Sequence, residues 1–249
     1  MLTFGIDLAS QDRLTAGCLV RWHDRPVVVE VMSPPLSDDD IVRRKRDPEV
    51  GVTAIDAPFG WPRAFVDAVA QYGLGRAFPE PTGDDLWLRV TDHVIWDAIG
   101  RPPLSVSGDR IAYPAVRAAR LLSRLGPSRP ASRNGSDGVI EVYPAAALAA
   151  WEIKPGRYKG PGGLEARRSL LSSLVRALPG LDVGGHGPAF VETDHAIDAL
   201  IAALVARAHI LGQVRQPTEA QANDAAVEGW IWLPDRPIRF LLGLSEQGG

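Results

Sequence analysis

Residues 1–10 read MLTFGIDLAS. A largely apolar run from Leu2 to Ile6 ends at Asp7, and the small residues Ala9 and Ser10 follow. Such a run has the composition of a buried strand. A carboxylate inside it would be costly, so Asp7 marks the strand's end. Two later runs close in the same way: TAID at Asp56 and GVIE at Glu141. If the first and fourth strands are parallel neighbours, Asp7 and Asp56 share one edge of the sheet. In open α/β sheets, the C-terminal edge is where ligands sit.

Around that stretch the first third of the chain reads as sheet. LTFGID, RLTAGCLVRW and PVVVEVMS are β-rich runs with short polar connections, and Asp24-Arg25-Pro26 makes a turn between the second and third. They are expected to form an antiparallel meander. A charged helix follows in DDDIVRRKRDP, with Ser37 as N-cap and Pro48 after its end. VTAIDAPFGWP then gives a short strand broken by Pro58. Helical patterns occur in RAFVDAVAQYG and DHVIWDAIG, the latter capped by Thr91 or Asp92. VIEVYPAAALAAW repeats the strand-to-helix transition, with Pro144 near the first helical position. LEARRSLLSSLVRAL and TDHAIDALIAALVARAHILG are helical, and EGWIWLP reads as a last short strand. The fold class is therefore α/β: a mixed sheet, a three-strand antiparallel meander plus parallel strands, covered by helices.

The 249 residues are ample for a large core. A net charge of −3 gives no overall nucleic-acid or membrane signal. Cys18 is the only cysteine, which excludes an intrachain disulfide and a cysteine-based zinc site. The first residues lack a secretory pattern, and the longest apolar stretch, around Leu200 to Ala206, is too short to span a bilayer. A cytoplasmic protein with no membrane partner is expected. Residues 101–168 nevertheless carry 12 Lys and Arg against 5 Asp and Glu. Arg117, Arg120 and Arg124 fall on one helix face. That face is either solvated or a contact surface for a polyanion such as nucleic acid.

The late helix adds acids. Thr193 is its N-cap, and Asp194 and Asp198 lie four apart in its first turns, where the helix dipole favours negative charge. Asp198 is the odder, set in the apolar AIDALIAALVA. Clustered carboxylates without cysteine or a histidine pair favour hard cations, Mg²⁺ or Mn²⁺. Two such ions roughly 4 Å apart activate water and stabilise the leaving oxygen in phosphodiester hydrolysis. Each acid alone has an ordinary role as a turn or cap residue. His93 and His195 show no base–nucleophile partner and read as structural. KGPGG, residues 159–163, lacks the spacing of a phosphate-binding P-loop.

FGIDLAS, AIDAPFGWP, LRVTDHVIW, EVYPAAAL, DHAIDALIAALVARA and EGWIWLP, taken in order, resemble a family called domain of unknown function 429. The resemblance runs from near residue 3 to near residue 234. Its members are labelled predicted nucleases with a ribonuclease H-like fold. It implies one such domain over residues 1–249, with a helical and loop insertion around 63–137. It also implies an Asp on the first strand, an acid ending the fourth, and acids on a late helix. Those are Asp7, Asp56, and Asp194 or Asp198, with Glu141 as an additional acid and Arg89 and Asp92 as pocket residues. The resulting expectation is a metal-dependent hydrolase of phosphodiesters. Asp7 and Asp56 hold the main Mg²⁺ or Mn²⁺. Asp198 or Asp194, with Glu141, completes a second site or positions water. Arg117, Arg120 and Arg124 meet the phosphates of a nucleic acid. The same fold also hosts sugar kinases and ATPases, and GIDLAS fits their phosphate-contacting strand end. A nucleotide-dependent phosphotransferase and a non-catalytic binding protein therefore stay open.

Overall fold

The computed structural model describes residues 1–80, 82–126 and 130–243. Five strands form one open sheet: β1 (Leu2–Asp7), β2 (Ala16–Trp22), β3 (Pro26–Met32), β4 (Val50–Asp56) and β5 (Val139–Glu141). Their order is β3-β2-β1-β4-β5. β1, β2 and β3 pair antiparallel, whereas β4 lies parallel to both β1 and β5. This is the mixed sheet that the sequence implies. The helices are α1 (Asp38–Lys45), α2 (Arg63–Gly73), α3 (Val90–Ile99), α4 (Ala112–Leu125), α5 (Pro144–Ala150), α6 (Leu164–Ala177), α7 (Gly187–Glu192), α8 (Asp194–Ile210) and α9 (Ala222–Glu228). α2, α3 and α4 fall between β4 and β5, within the segment expected to be inserted.

Side chains alternate across a strand, so β1 serves two cores. Phe4 and Ile6 face one, with Leu36 and Ile41 and with Ala118 and Leu121 of α4. Thr3, Gly5 and Asp7 take the opposite parity and face α8. This helix is apolar around nearly its whole circumference, as a helix enclosed by protein must be. It is buried from Ala196 through Ala206. Gly5 lets it come close. A Cβ at residue 5 would lie 2.0 Å from the Ala199 carbonyl oxygen and 2.2 Å from the Ala203 nitrogen. Strand backbone and helix backbone therefore touch directly, and Ala199 and Ala203 keep the helix side of the contact equally bare.

The caps at Ser37 and Thr193 form as expected: Ser37 Oγ accepts from Asp40 N at 3.2 Å and Thr193 Oγ1 from His195 N at 3.1 Å. The start of α3 differs. Arg89 occupies the cap position, and Asp92 reaches back to accept its backbone N–H at 2.9 Å. Thr91 instead accepts from Ile231 N at 2.8 Å. A buried guanidinium at residue 89 needs Asp92 close by, and this sets the helix start. EGWIWLP also differs, contributing only single bridges, Glu141 to Ile231 and Val214 to Pro234. Pro234 has no N–H with which to extend a ladder. Among the described residues, no helix is long and apolar enough to cross a membrane.

Candidate metal centre

The β1–β4 register pairs Asp7 with Asp56. In a parallel pair with aligned register, both side chains leave the sheet on the same face, here the face under α8. Asp198, in the second turn of α8, meets them. One oxygen from each of the three carboxylates lies within 4.8 Å of the others. Asp7 and Asp56 are partly open to solvent, while Asp198 is fully buried.

Like charges this close perturb one another. Enclosure by protein, then the negative charges of Asp7 and Asp198, hold the Asp56 carboxyl well above the usual range. Burial pushes Asp198 up to about 6, although Lys159 pulls the other way. The donors are all oxygen and form a cluster that repels itself. That chemistry fits a hard divalent cation such as Mg²⁺ or Mn²⁺.

Three side chains not singled out as site residues in the sequence complete the centre. Lys159 Nζ donates to Asp198 Oδ2. The Tyr158 hydroxyl donates to Asp198 Oδ1 at 2.8 Å. His195 Nδ1 lies 2.6 Å from Asp7 Oδ2. Burial opposes charge on Lys159, but Asp198, Asp56 and Asp7 outweigh it and hold the ammonium above its usual range. The hydrogen bond to Asp7 likewise raises His195. A signal for His195 was present: residues 195 and 198 are three apart on a helix and share a face. Lys159 carried none, because a loop of Gly and Pro brings it in. Asp194 stays outside the trio and accepts from Gly160 N at 3.3 Å.

Glu141 belongs to a second cluster. β5 pairs Ile140 with Ala54 and Glu141 with Ile55. Glu141 therefore leaves the sheet on the face of Ile55, opposite to Asp56. There it meets Arg89, one of the largest fully buried side chains. Arg89 Nη1 and Nη2 donate to Glu141 Oε2 and Oε1 at 2.9 and 2.8 Å. Its Nε and Nη2 donate to Asp92 at 3.0 and 2.9 Å. Phe59 N donates to Glu141 Oε2 at 2.8 Å. Burial raises the Glu141 carboxyl while Arg89 lowers it. Glu228 completes the cluster by accepting from Arg63 N at 2.7 Å and Val90 N at 2.9 Å, the first residues of α2 and α3. One carboxylate thus caps two helices. Gly229, at φ +92°, passes so near that a Cβ would lie 2.8 Å from Glu141 Oε2.

The arginines expected to meet phosphate separate. Arg117 is buried and spends its guanidinium inside the fold. It donates to Asp38 Oδ1 at 2.8 Å, Asp12 Oδ1 at 2.6 Å, Thr15 Oγ1 at 2.7 Å and the Ala9 carbonyl at 2.8 Å. It ties α4 to the loop after β1 and is not placed to contact a ligand. Arg124 pairs with Asp39 on the surface. Arg120 is exposed. Arg101 stands nearer the centre: burial raises the pKa of the Tyr143 hydroxyl, the Arg101 charge opposes that rise, and the same hydroxyl feels Asp56, Lys159 and Asp198.

Residues 5–222 match the family described as Protein of unknown function (DUF429), and the chain belongs to that family. No curated protein and no solved structure matches it.

Proposed function

We propose that this member of the DUF429 family is a divalent-cation-dependent hydrolase of phosphodiester bonds that acts on nucleic acid. The observation that carries the reading is the convergence of Asp7, Asp56 and Asp198 within 4.8 Å at the C-terminal edge of parallel strands. The antiparallel meander of β1 to β3 beside the parallel strands β4 and β5 is the mixed sheet expected from the ribonuclease H-like resemblance, which supports the same reading.

Asp7 and Asp56 would hold Mg²⁺ or Mn²⁺, which supplies Lewis-acid polarisation and a more acidic bound water. In the reaction, a bond forms from the water oxygen to phosphorus and one ester P–O bond breaks. The water proton leaves to a base, and the leaving oxygen gains one. With Nδ1 on Asp7, the other ring nitrogen of His195 is the one left to move a proton at the reacting oxygens. Arg101 and Arg120 are exposed cations suited to a phosphate backbone. The phosphotransferase reading lacks comparable support. In the KGPGG stretch, the Gly160 N–H goes to Asp194 and the Gly163 N–H to the Gly160 carbonyl, so these amides are not free to cradle a phosphate.

The test is cleavage of single-stranded, duplex and branched substrates with Mg²⁺ or Mn²⁺. Asp7→Asn is expected to lose on the order of 100- to 1,000-fold, the scale for removing one group that holds transition-state charge. Equal cleavage by wild type and variant sinks the reading, and stabilisation by ATP without cleavage supports the phosphotransferase.

A further inference from the structure

The three carboxylates are not equally free to bind a cation. Both oxygens of Asp198 are engaged, Oδ1 by the Tyr158 hydroxyl at 2.8 Å and Oδ2 by the Lys159 ammonium. Asp7 Oδ2 is engaged by His195. Among the described residues, Asp7 Oδ1 and both oxygens of Asp56 accept no hydrogen bond. A second divalent ion that used Asp198 would have to sit beside the ammonium already bound there, against like-charge repulsion. One divalent cation and one ammonium also suffice to neutralise three carboxylates.

Lys159 is held at this place by its backbone. The buried guanidinium of Arg167 donates to the carbonyls on either side of it, Tyr158 and Gly160, both at 2.8 Å. The same guanidinium donates to the Val191 carbonyl at 2.7 Å and the Glu192 carbonyl at 3.2 Å, just before α8. The loop carrying Lys159 and the helix start leading to Asp198 are therefore fastened to one plane. Gly163 allows the loop to close, since a Cβ there would lie 2.3 Å from the Tyr158 carbonyl oxygen. Tyr158 is buried, yet the Lys159 side chain remains 56% exposed. The ammonium thus stands between Asp198 and solvent.

We propose that the centre takes one divalent cation, between Asp7 and Asp56, and that the Lys159 ammonium on Asp198 is its built-in second cation, placed to meet the phosphate of the substrate. The proposal rests on the cation-dependent reading above and deepens it. It makes Asp198 the seat of a lysine rather than a bridge between two ions.

The test is the number of Mn²⁺ ions bound per chain, read by calorimetry and by electron paramagnetic resonance on the intact protein, with circular dichroism to confirm folding. Wild type is expected to bind one. Lys159→Arg keeps a cation on Asp198 and is expected to bind one as well. Lys159→Met is expected to bind two, and the second ion is expected to vanish in Lys159→Met/Asp198→Asn. Two ions in wild type, two in Lys159→Arg, or one in a folded Lys159→Met overturns the assignment while leaving cation dependence standing. No ion in wild type overturns the cation-dependent reading and this assignment with it.

Discussion

Asp56 and Glu141 end neighbouring parallel strands of one sheet, yet their surroundings are opposite in kind. Asp56 lies with Asp7 and Asp198 and accepts no hydrogen bond among the described residues. Glu141 receives two hydrogen bonds from Arg89 and one from the Phe59 backbone. The first cluster has acids in excess of donors. In the second, donors are matched to acids. An enclosed charge is tolerable when its donors are complete, so the Arg89 cluster serves the fold. It ties the chain after β4 to the starts of α2 and α3. The aspartate cluster holds unrelieved repulsion, which binding of a cation would remove. A carboxylate at the end of a strand therefore takes its role from the face it occupies.

The sharpest way to break this contrast is Arg89→Met. Two carboxylates would lose their common partner, which costs about 3–5 kcal/mol for a buried pair broken from one side. At about 2–4 °C per kcal/mol for a chain of this size, the melting temperature should fall on the order of 10 °C. A fall of a degree or two would mean that the cluster does not hold the fold.

The aspartate cluster should respond to pH instead. Asp198 is raised from 3.8 to about 6, with burial as the main cause. A carboxyl with a raised folded-state pKa contributes stability that is full below its unfolded value and lost as pH rises through the folded one. The cation-free protein should therefore lose several degrees of melting temperature between pH 4 and 7, and Asp198→Asn should lose less. Mn²⁺ should restore more at pH 7 than at pH 5, because ligation favours the ionised form. Equal pH profiles for wild type and Asp198→Asn would show that Asp198 is not the strained group.

Tyr158→Phe is the mildest test. It removes one neutral donor from Asp198 and leaves Lys159 in place. Thermal unfolding should show a loss of about 1 kcal/mol, the usual scale for such a bond. A loss as large as that of Arg89→Met would mean that the hydroxyl, not the ammonium, anchors Asp198.

How much of this was legible depends on the residue. The Asp7–Asp56 pair was, because two apolar runs ending in Asp fix both strand direction and register once they are parallel. Asp198 was legible only in part: a carboxylate in an otherwise apolar helix stands out, but Asp194, one turn earlier, remained an equal alternative. Glu141 was not assigned correctly to a face, since a strand of three residues has no alternation of its own. Its parity comes from pairing with β4. Arg117 and Arg124 share a helix face in sequence, but Arg117 lies where α4 meets the loop after β1 and is consumed there. Lys159 reaches the centre through a loop whose path is set by Arg167 and Gly163. Those contacts are nonlocal, and no periodicity announces them.

The contact at Gly5 has one more consequence. Side chains adjust to a misfit by changing rotamer, whereas two backbones pressed together have nothing to rotate. With Ala199 and Ala203 seated on Gly5, α8 can neither settle deeper onto the sheet nor slide along β1 without breaking peptide hydrogen bonds. The span from Asp7 to Asp198 is therefore a fixed gauge. On the proposed reading, the distance between the cation held by Asp7 and the ammonium seated on Asp198 is set partly at residue 5, two positions from the nearest ligand, by a residue with no side chain.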